Sequence, residues 1–349
     1  MKFDVSEIDS AECILDMGKP LLRTWPEDCF LTSIILSQEH AYDWIMNWFV
    51  QICAYKSEKK KETMRISFYP EGKHHFRINL FDLCPFISKD AVDNKWIKGV
   101  FNNFSDFVIY TLSNGYYLSV VLDQCYRPDM AEKHIIHPAY IYGYNSDKKI
   151  IYTADSYSVG RYSYMEVPFE HINKAFELIN ANFDVLSDKK TYMYRVQKKN
   201  YKYSVEHLIC LLEDYLNARD STNYEYRNVG RYYGVKCYDV YLNYIDYILE
   251  CGRSELDLRS FVFLVDYHCM MQWRVEYLIE KGYLAETEGD LLAGARALKE
   301  FCEKTLYIII KYTLTQSIEY LMIVRENVME ICRRNIEITE KLLGKIKSR

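Results

Sequence analysis

The chain has no uninterrupted apolar run of the roughly 20 residues that a bilayer-spanning helix needs. Its most apolar stretch, Leu306–Met322, is interrupted by Lys311, Gln316 and Glu319 and reads as a buried helix. Glycine and proline are scarce, 13 and 7 of 349 residues, which excludes a low-complexity chain. Net charge is small as well: 44 basic against 49 acidic residues, −5 overall. That balance argues against a general nucleic-acid binder. With 49% hydrophobic residues, it also argues against disorder. No glycine-rich phosphate loop or dinucleotide fingerprint occurs. The opening MKFDVSEIDS is acidic and polar where an export signal is basic and then apolar. A cytoplasmic location is therefore expected, with the 11 cysteines as reduced thiols. None of them forms a CxxC pair, so a structural zinc is not expected.

What the chain does contain falls into two textures. Up to about residue 200, strand-like and helix-like stretches alternate. Cys29–Tyr55 carries Phe30, Ile34, Ile35, Trp44, Ile45, Trp48, Phe49 and Ile52 at helical spacing and reads as one long buried helix. Strands are expected at Met64–Tyr69, Phe76–Phe81 and Gly115–Cys125, with a helix at Ala91–Phe104. Pro138–Tyr144 and Lys149–Ala154 flank the turn-forming Asn145-Ser146-Asp147, a hairpin signal. A helix over Val167–Asn182 and a strand over Thr191–Val196 follow. From Ser204 onward apolar residues recur at i, i+3, i+4 and i+7 in Val205–Leu216, Val235–Leu249, Asp257–Lys281, Asp290–Tyr312 and Leu314–Ile346. The expected architecture is an α+β domain, residues 1–196, followed by an all-helical domain, residues 197–349.

Cys29 is the first candidate for chemistry. It follows Pro26-Glu27-Asp28 at the start of the apolar helix, where the helix dipole and unpaired N–H groups stabilise a thiolate and offer half of an oxyanion hole. The alternative is a buried cysteine in an ordinary first turn capped by Asp28. His137 and Asp155 stand at the open end of the hairpin. If the turn is Asn145–Asp147, Tyr144 pairs with Lys148 and His137 with Asp155, on one face with Cβ atoms about 5 Å apart. A carboxylate there holds the imidazole's tautomer and orientation. Taken singly, His137 before Pro138 ends a strand and Asp155 caps a turn; as a pair they point to function. Cys125, His134 and His137 with Asp155 form a rival zinc set of nonspecific spacing. His74 and His75, adjacent in an expected loop, point apart on an extended chain. Lys56–Lys61 reads as a solvated face or as a landing site for an acidic carrier protein.

The order Cys29, long helix, strands, then His137-Pro-Ala-Tyr-Ile-Tyr-Gly-Tyr and Ile151-Tyr-Thr-Ala-Asp-Ser resembles the papain-like fold of double-glycine bacteriocin-processing peptidases. It is more specifically similar to their non-proteolytic relatives, the butirosin biosynthesis protein H family, and more remotely to amide-forming enzymes of closthioamide-type pathways. Val121-Leu-Asp-Gln-Cys-Tyr-Arg-Pro128 matches the strand that precedes the family's histidine. The likeness covers about residues 20–185. It implies amide formation by acyl transfer from the thioester of an acyl or peptidyl carrier protein to a small amine. The acyl group would ride on phosphopantetheine, with no other cofactor, no metal, no nucleic acid and no membrane. By resemblance Cys29 is the nucleophile, His137 the general base and acid, and Asp155 the orienting group. The family's oxyanion-hole Gln stands six residues before the nucleophile, and Arg23 occupies that position. Arg23 or Thr24 would stand in for it, with Asp123 a further substrate-binding candidate. Hydrolysis, by a peptidase or thioesterase, is the alternative chemistry. A non-catalytic binding protein on the same fold is the second alternative.

Overall fold

The computed structural model describes the chain except residues 1, 3–7, 9, 57–63, 71–78, 125–126, 128–134, 159–160, 183–188, 223–230, 253–255 and 349. In chain order the elements begin with β1 (Glu12–Ile14), α1 (Pro26–Ile35), α2 (Ala41–Trp48), β2 (Ile52–Lys56), β3 (Met64–Phe68) and α3 (Leu80–Leu83). Next come β4 (Ile87–Asp93), α4 (Asn94–Val100), α5 (Phe104–Ser113), β5 (Tyr117–Asp123), β6 (Ile136–Asn145), β7 (Ile150–Ser158) and β8 (Arg161–Pro168). The remainder is α6 (Phe169–Asn182), β9 (Lys190–Val196), α7 (Val205–Leu216), β10 (Arg231–Tyr233), α8 (Cys237–Cys251), α9 (Leu258–Glu280), α10 (Gly289–Thr315) and α11 (Ile318–Lys347). No helix among the described residues is long and apolar enough to cross a membrane. The fold is thus mixed α and β, with an antiparallel sheet and a helical C-terminal region.

Two compact units are formed, Met1–Ala41 with Phe81–Asn200, and Tyr42–Leu80 with Tyr201–Arg349. This division differs from the expected boundary at residue 196: Tyr42–Leu80, with two strands, groups with the helical region. The single helix expected over Cys29–Tyr55 is likewise two helices. Its apolar spacing continues across Leu36–His40, but the polar Ser37-Gln38-Glu39 run and His40, with φ 64°, break it. Thr32 and Ser33 also donate their hydroxyls to the Asp28 and Cys29 carbonyls, the side-chain back-bonding that bends helices. Of the strand expected over Phe76–Phe81, the described end begins α3 instead. The helix expected from Ala91 starts at Asn94, because Ala91–Asp93 pair with β9.

In the first unit the sheet runs β4-β9-β5-β6-β7-β8, with β1 paired to the far end of β6. Leu118, Val120, Leu122, Ala139, Ile141 and Ile151 turn one face to Phe104, Phe107 and Val108 of α5 and Ile172 and Phe176 of α6. Tyr140, alternating with Ala139 and Ile141, faces the other way, and there Phe30 of α1 stacks on it with ring centroids 4.4 Å apart. The second unit joins the sheet β10-β2-β3 to the helices. Arg274, fully buried, donates to the Met46 and Phe49 carbonyls there.

Candidate functional site

The β6–β7 hairpin closes later than its sequence suggests. Asn145 pairs with Ile150, leaving a four-residue loop, Ser146–Lys149, in place of the expected three. The Asn145 carboxamide accepts from Lys148 N at 2.9 Å, and Lys149 adopts φ 54°. This register, continued outward, would put His137 and Asp155 on opposite faces. A bulge between Ile141 and Gly143 prevents that. After it Ile141 pairs with Thr153 and Tyr140 with Ala154, so Asp155 falls opposite Ala139, two residues from His137. The pair is therefore diagonal on one face, not directly opposed as the turn count predicts, and the extra residue Tyr142 restores the parity.

The contact itself is close. His137 Nδ1 lies 2.8 Å from Asp155 Oδ2 and 2.9 Å from the Pro138 carbonyl. Donation from Nδ1–H leaves Nε2 as the basic nitrogen. Pro138 precedes the first β6–β7 pair, so its missing N–H removes no bond from that ladder. Burial, the largest single influence, opposes charge on His137. The hydrogen bond and charge of Asp155, the charge of Glu27 and the Pro138 carbonyl outweigh it and raise the pKa above the ordinary 6.5.

Asp155 is 1% exposed and is held from two further sides. Its Oδ1 accepts from Ser156 N at 2.7 Å, and Gln124 Nε2 lies 3.5 Å from Oδ2. Gln124 Oε1 accepts from Arg127 at 3.1 Å, while Arg127 also donates to the Tyr157 carbonyl and stacks over the Tyr157 ring. The chain Arg127–Gln124–Asp155–His137 escaped the sequence reading, which singled out Asp123. Strand alternation was the available signal. Leu122 pairs with His137 and Asp123 with Ile136, so the residue on the histidine's side is Gln124. Asp123 is buried, on the other side of the strand.

Cys29 ends the first turn of α1, after Trp25 at the cap position and Pro26 as first helical residue. It is 0% exposed, and its thiol donates to the Leu22 carbonyl at 3.1 Å. Its amide donates to the Trp25 carbonyl at 2.9 Å. The expected use of that N–H in an oxyanion hole is therefore not met in this conformation, because Cys29 is far enough into the helix to make its i→i−4 bond. Arg23 is exposed and Thr24 buried. Glu27, two residues before Cys29, acts on the charge of His137. Cys29 and Asp155 both act on Tyr162 of β8, whose pKa is held well above the ordinary range by burial first and by these charges.

Among the described residues no three of His, Cys, Asp and Glu converge as a metal-binding group. His74, His75, Cys125, His134 and Lys59–Lys61 lie outside the described residues. No protein-family model and no curated protein matches this chain.

Proposed function

We propose that the chain is a papain-like cysteine acyltransferase of the cytoplasm that forms an amide through acyl-Cys29. The observation that carries this reading is the 2.8 Å pairing of a half-exposed His137 with the buried carboxylate of Asp155, the arrangement by which a histidine is poised as base and acid.

In the proposed cycle His137 Nε2 takes the proton of the Cys29 thiol, and the resulting thiolate attacks the carbonyl carbon of a pantetheine thioester on an acyl or peptidyl carrier protein. The departing thiolate takes its proton from His137 Nε2. A small amine then attacks acyl-Cys29, His137 accepts its proton, and Asp155 holds Nδ1–H throughout. Thioester exchange is nearly isoenergetic, so it depends less than amide cleavage on a strong oxyanion hole. Arg23 in place of the family's Gln therefore favours transfer over proteolysis. With water as acceptor the same steps give a thioesterase.

The burial of Cys29 and the engagement of its thiol with the Leu22 carbonyl favour a second reading, a binding protein that keeps the fold without the chemistry. Iodoacetamide labelling of the native protein between pH 5 and 9, mapped by peptide mass spectrometry, separates the two. Acyl transfer requires Cys29 to label below pH 7 faster than the exposed Cys210 and Cys251, and to lose that advantage in His137→Ala. A Cys29 that labels no faster than those two leaves the binding reading standing.

A further inference from the structure

Of the oxyanion donors expected from the sequence, Arg23 lies on the surface and the Cys29 amide is bonded within α1. The sheet face under α1 offers another group. In the β7–β8 ladder Ala154 pairs with Tyr164 and Asp155 with Ser163. Tyr162 therefore shares a face with Tyr164, Ala154 and Tyr140, the face on which Phe30 stacks. His137 and Asp155 alternate onto the other face, but they and Tyr162 all lie at one end of the sheet, where Cys29 and Asp155 both act on the Tyr162 hydroxyl. Its ring packs edge-on against Tyr164, which in turn meets Tyr142. The Tyr162 Oη is enclosed from solvent and has no hydrogen-bond partner among the described residues. Buried hydroxyls almost always find a partner, and one that does not calls for an explanation.

We infer that the Tyr162 hydroxyl is the donor that receives the negative oxygen formed when Cys29 adds to the carbonyl of its acyl donor. This rests on the acyltransfer reading above and assigns that site its electrophilic residue. As the C–S bond forms, the carbonyl π pair moves onto oxygen, which accepts a hydrogen bond from Tyr162 O–H. No proton leaves the tyrosine, because burial first and the charge of Asp155 beside it keep the phenol protonated. Collapse re-forms the C=O bond and expels the leaving thiolate, which takes its proton from His137.

The test compares two probes of one sulfur. Acylation of Cys29 by p-nitrophenyl acetate, followed by intact mass, develops an oxyanion; alkylation by iodoacetamide displaces iodide and develops none. Tyr162→Phe removes only the hydroxyl. It is expected to slow acylation about 100-fold or more, the usual effect of losing one such donor, and to leave alkylation within about twofold of wild type. Equal acylation rates in the two proteins overturn the assignment and leave acyl transfer intact. A parallel fall in both rates also overturns it, by showing a merely structural role. A wild-type Cys29 that alkylates but is never acylated removes the acyltransfer reading, and this assignment with it.

Discussion

Replacing Asp155 by Asn separates the charge of the buried carboxylate from its shape. The variant keeps the volume but offers one oxygen where the carboxylate uses two, Oδ2 facing His137 Nδ1–H and Oδ1 accepting from Ser156 N–H, at 2.8 and 2.7 Å in the native protein. With His137 neutral, one charge-assisted hydrogen bond becomes an ordinary one and the other is lost with its donor left unpaired, a loss of about 2–3 kcal/mol. With His137 protonated, the ion pair is lost too. The histidine side chain is 40% exposed, so solvent screens the pair and this adds only about 1 kcal/mol. The native pKa of His137 is raised above its ordinary 6.5. The ion-pair contribution is therefore fully present below about pH 6.5 and is lost as pH rises through the raised native value. The gap between wild type and Asp155→Asn should be wider at pH 5.5 than at pH 9. Because a chain of two compact units offers no single two-state transition, the readout is hydrogen exchange of the β6 and β7 amides, corrected for the pH dependence of the chemical step. Protection is expected to fall about 60-fold at pH 9 and about 300-fold at pH 5.5, on the scale of 1.4 kcal/mol per factor of ten. A gap that is constant with pH, or wider at pH 9, would refute the charge argument.

Two further outcomes follow from residues around the site and in the second unit. Gln124→Ala removes the link between Arg127 and Asp155. It should reduce the iodoacetamide reactivity of Cys29 at pH 6.5 several-fold while Cys210 and Cys251 label as before; an unchanged ratio would show that Gln124 does not position the pair. Gly234→Ala places a Cβ 2.0 Å from the Tyr215 carbonyl oxygen at a residue with φ 52°. The backbone clash and left-handed strain should destabilise the second unit by about 2–4 kcal/mol, read as an earlier thermal transition. A variant with the wild-type transition would disprove the close approach of Gly234 to Tyr215.

Local rules sufficed for much of the second unit. Ser204 and Asp257 accept hydrogen bonds from backbone amides in the first turns of α7 and α9. The 3.6-residue apolar period of those segments places their ends within a residue or two of the observed ones. Caps and periodicity act over one or two turns, so the sequence displays them directly. The β9 strand and the hairpin over residues 136–158 were legible for the same reason.

Tertiary structure decided the rest. Apolar spacing alone does not reveal that the chain leaves the first unit after Ala41 and returns at Phe81, because a helix face looks the same whichever core covers it. Nor does it show the bulge at Tyr142. The turn residues admitted a register with His137 opposite Asp155, and only packing of the sheet against α5 and α6 selects the longer loop with its compensating extra residue. Residue identity made Cys29, His137 and Asp155 candidates. Their surroundings come from contacts distant in sequence: a buried carboxylate backed by Gln124 and Arg127, and a thiol enclosed beneath Leu22. Burial and hydrogen-bond partners are properties of the assembled unit, and a sequence read residue by residue carries no record of them.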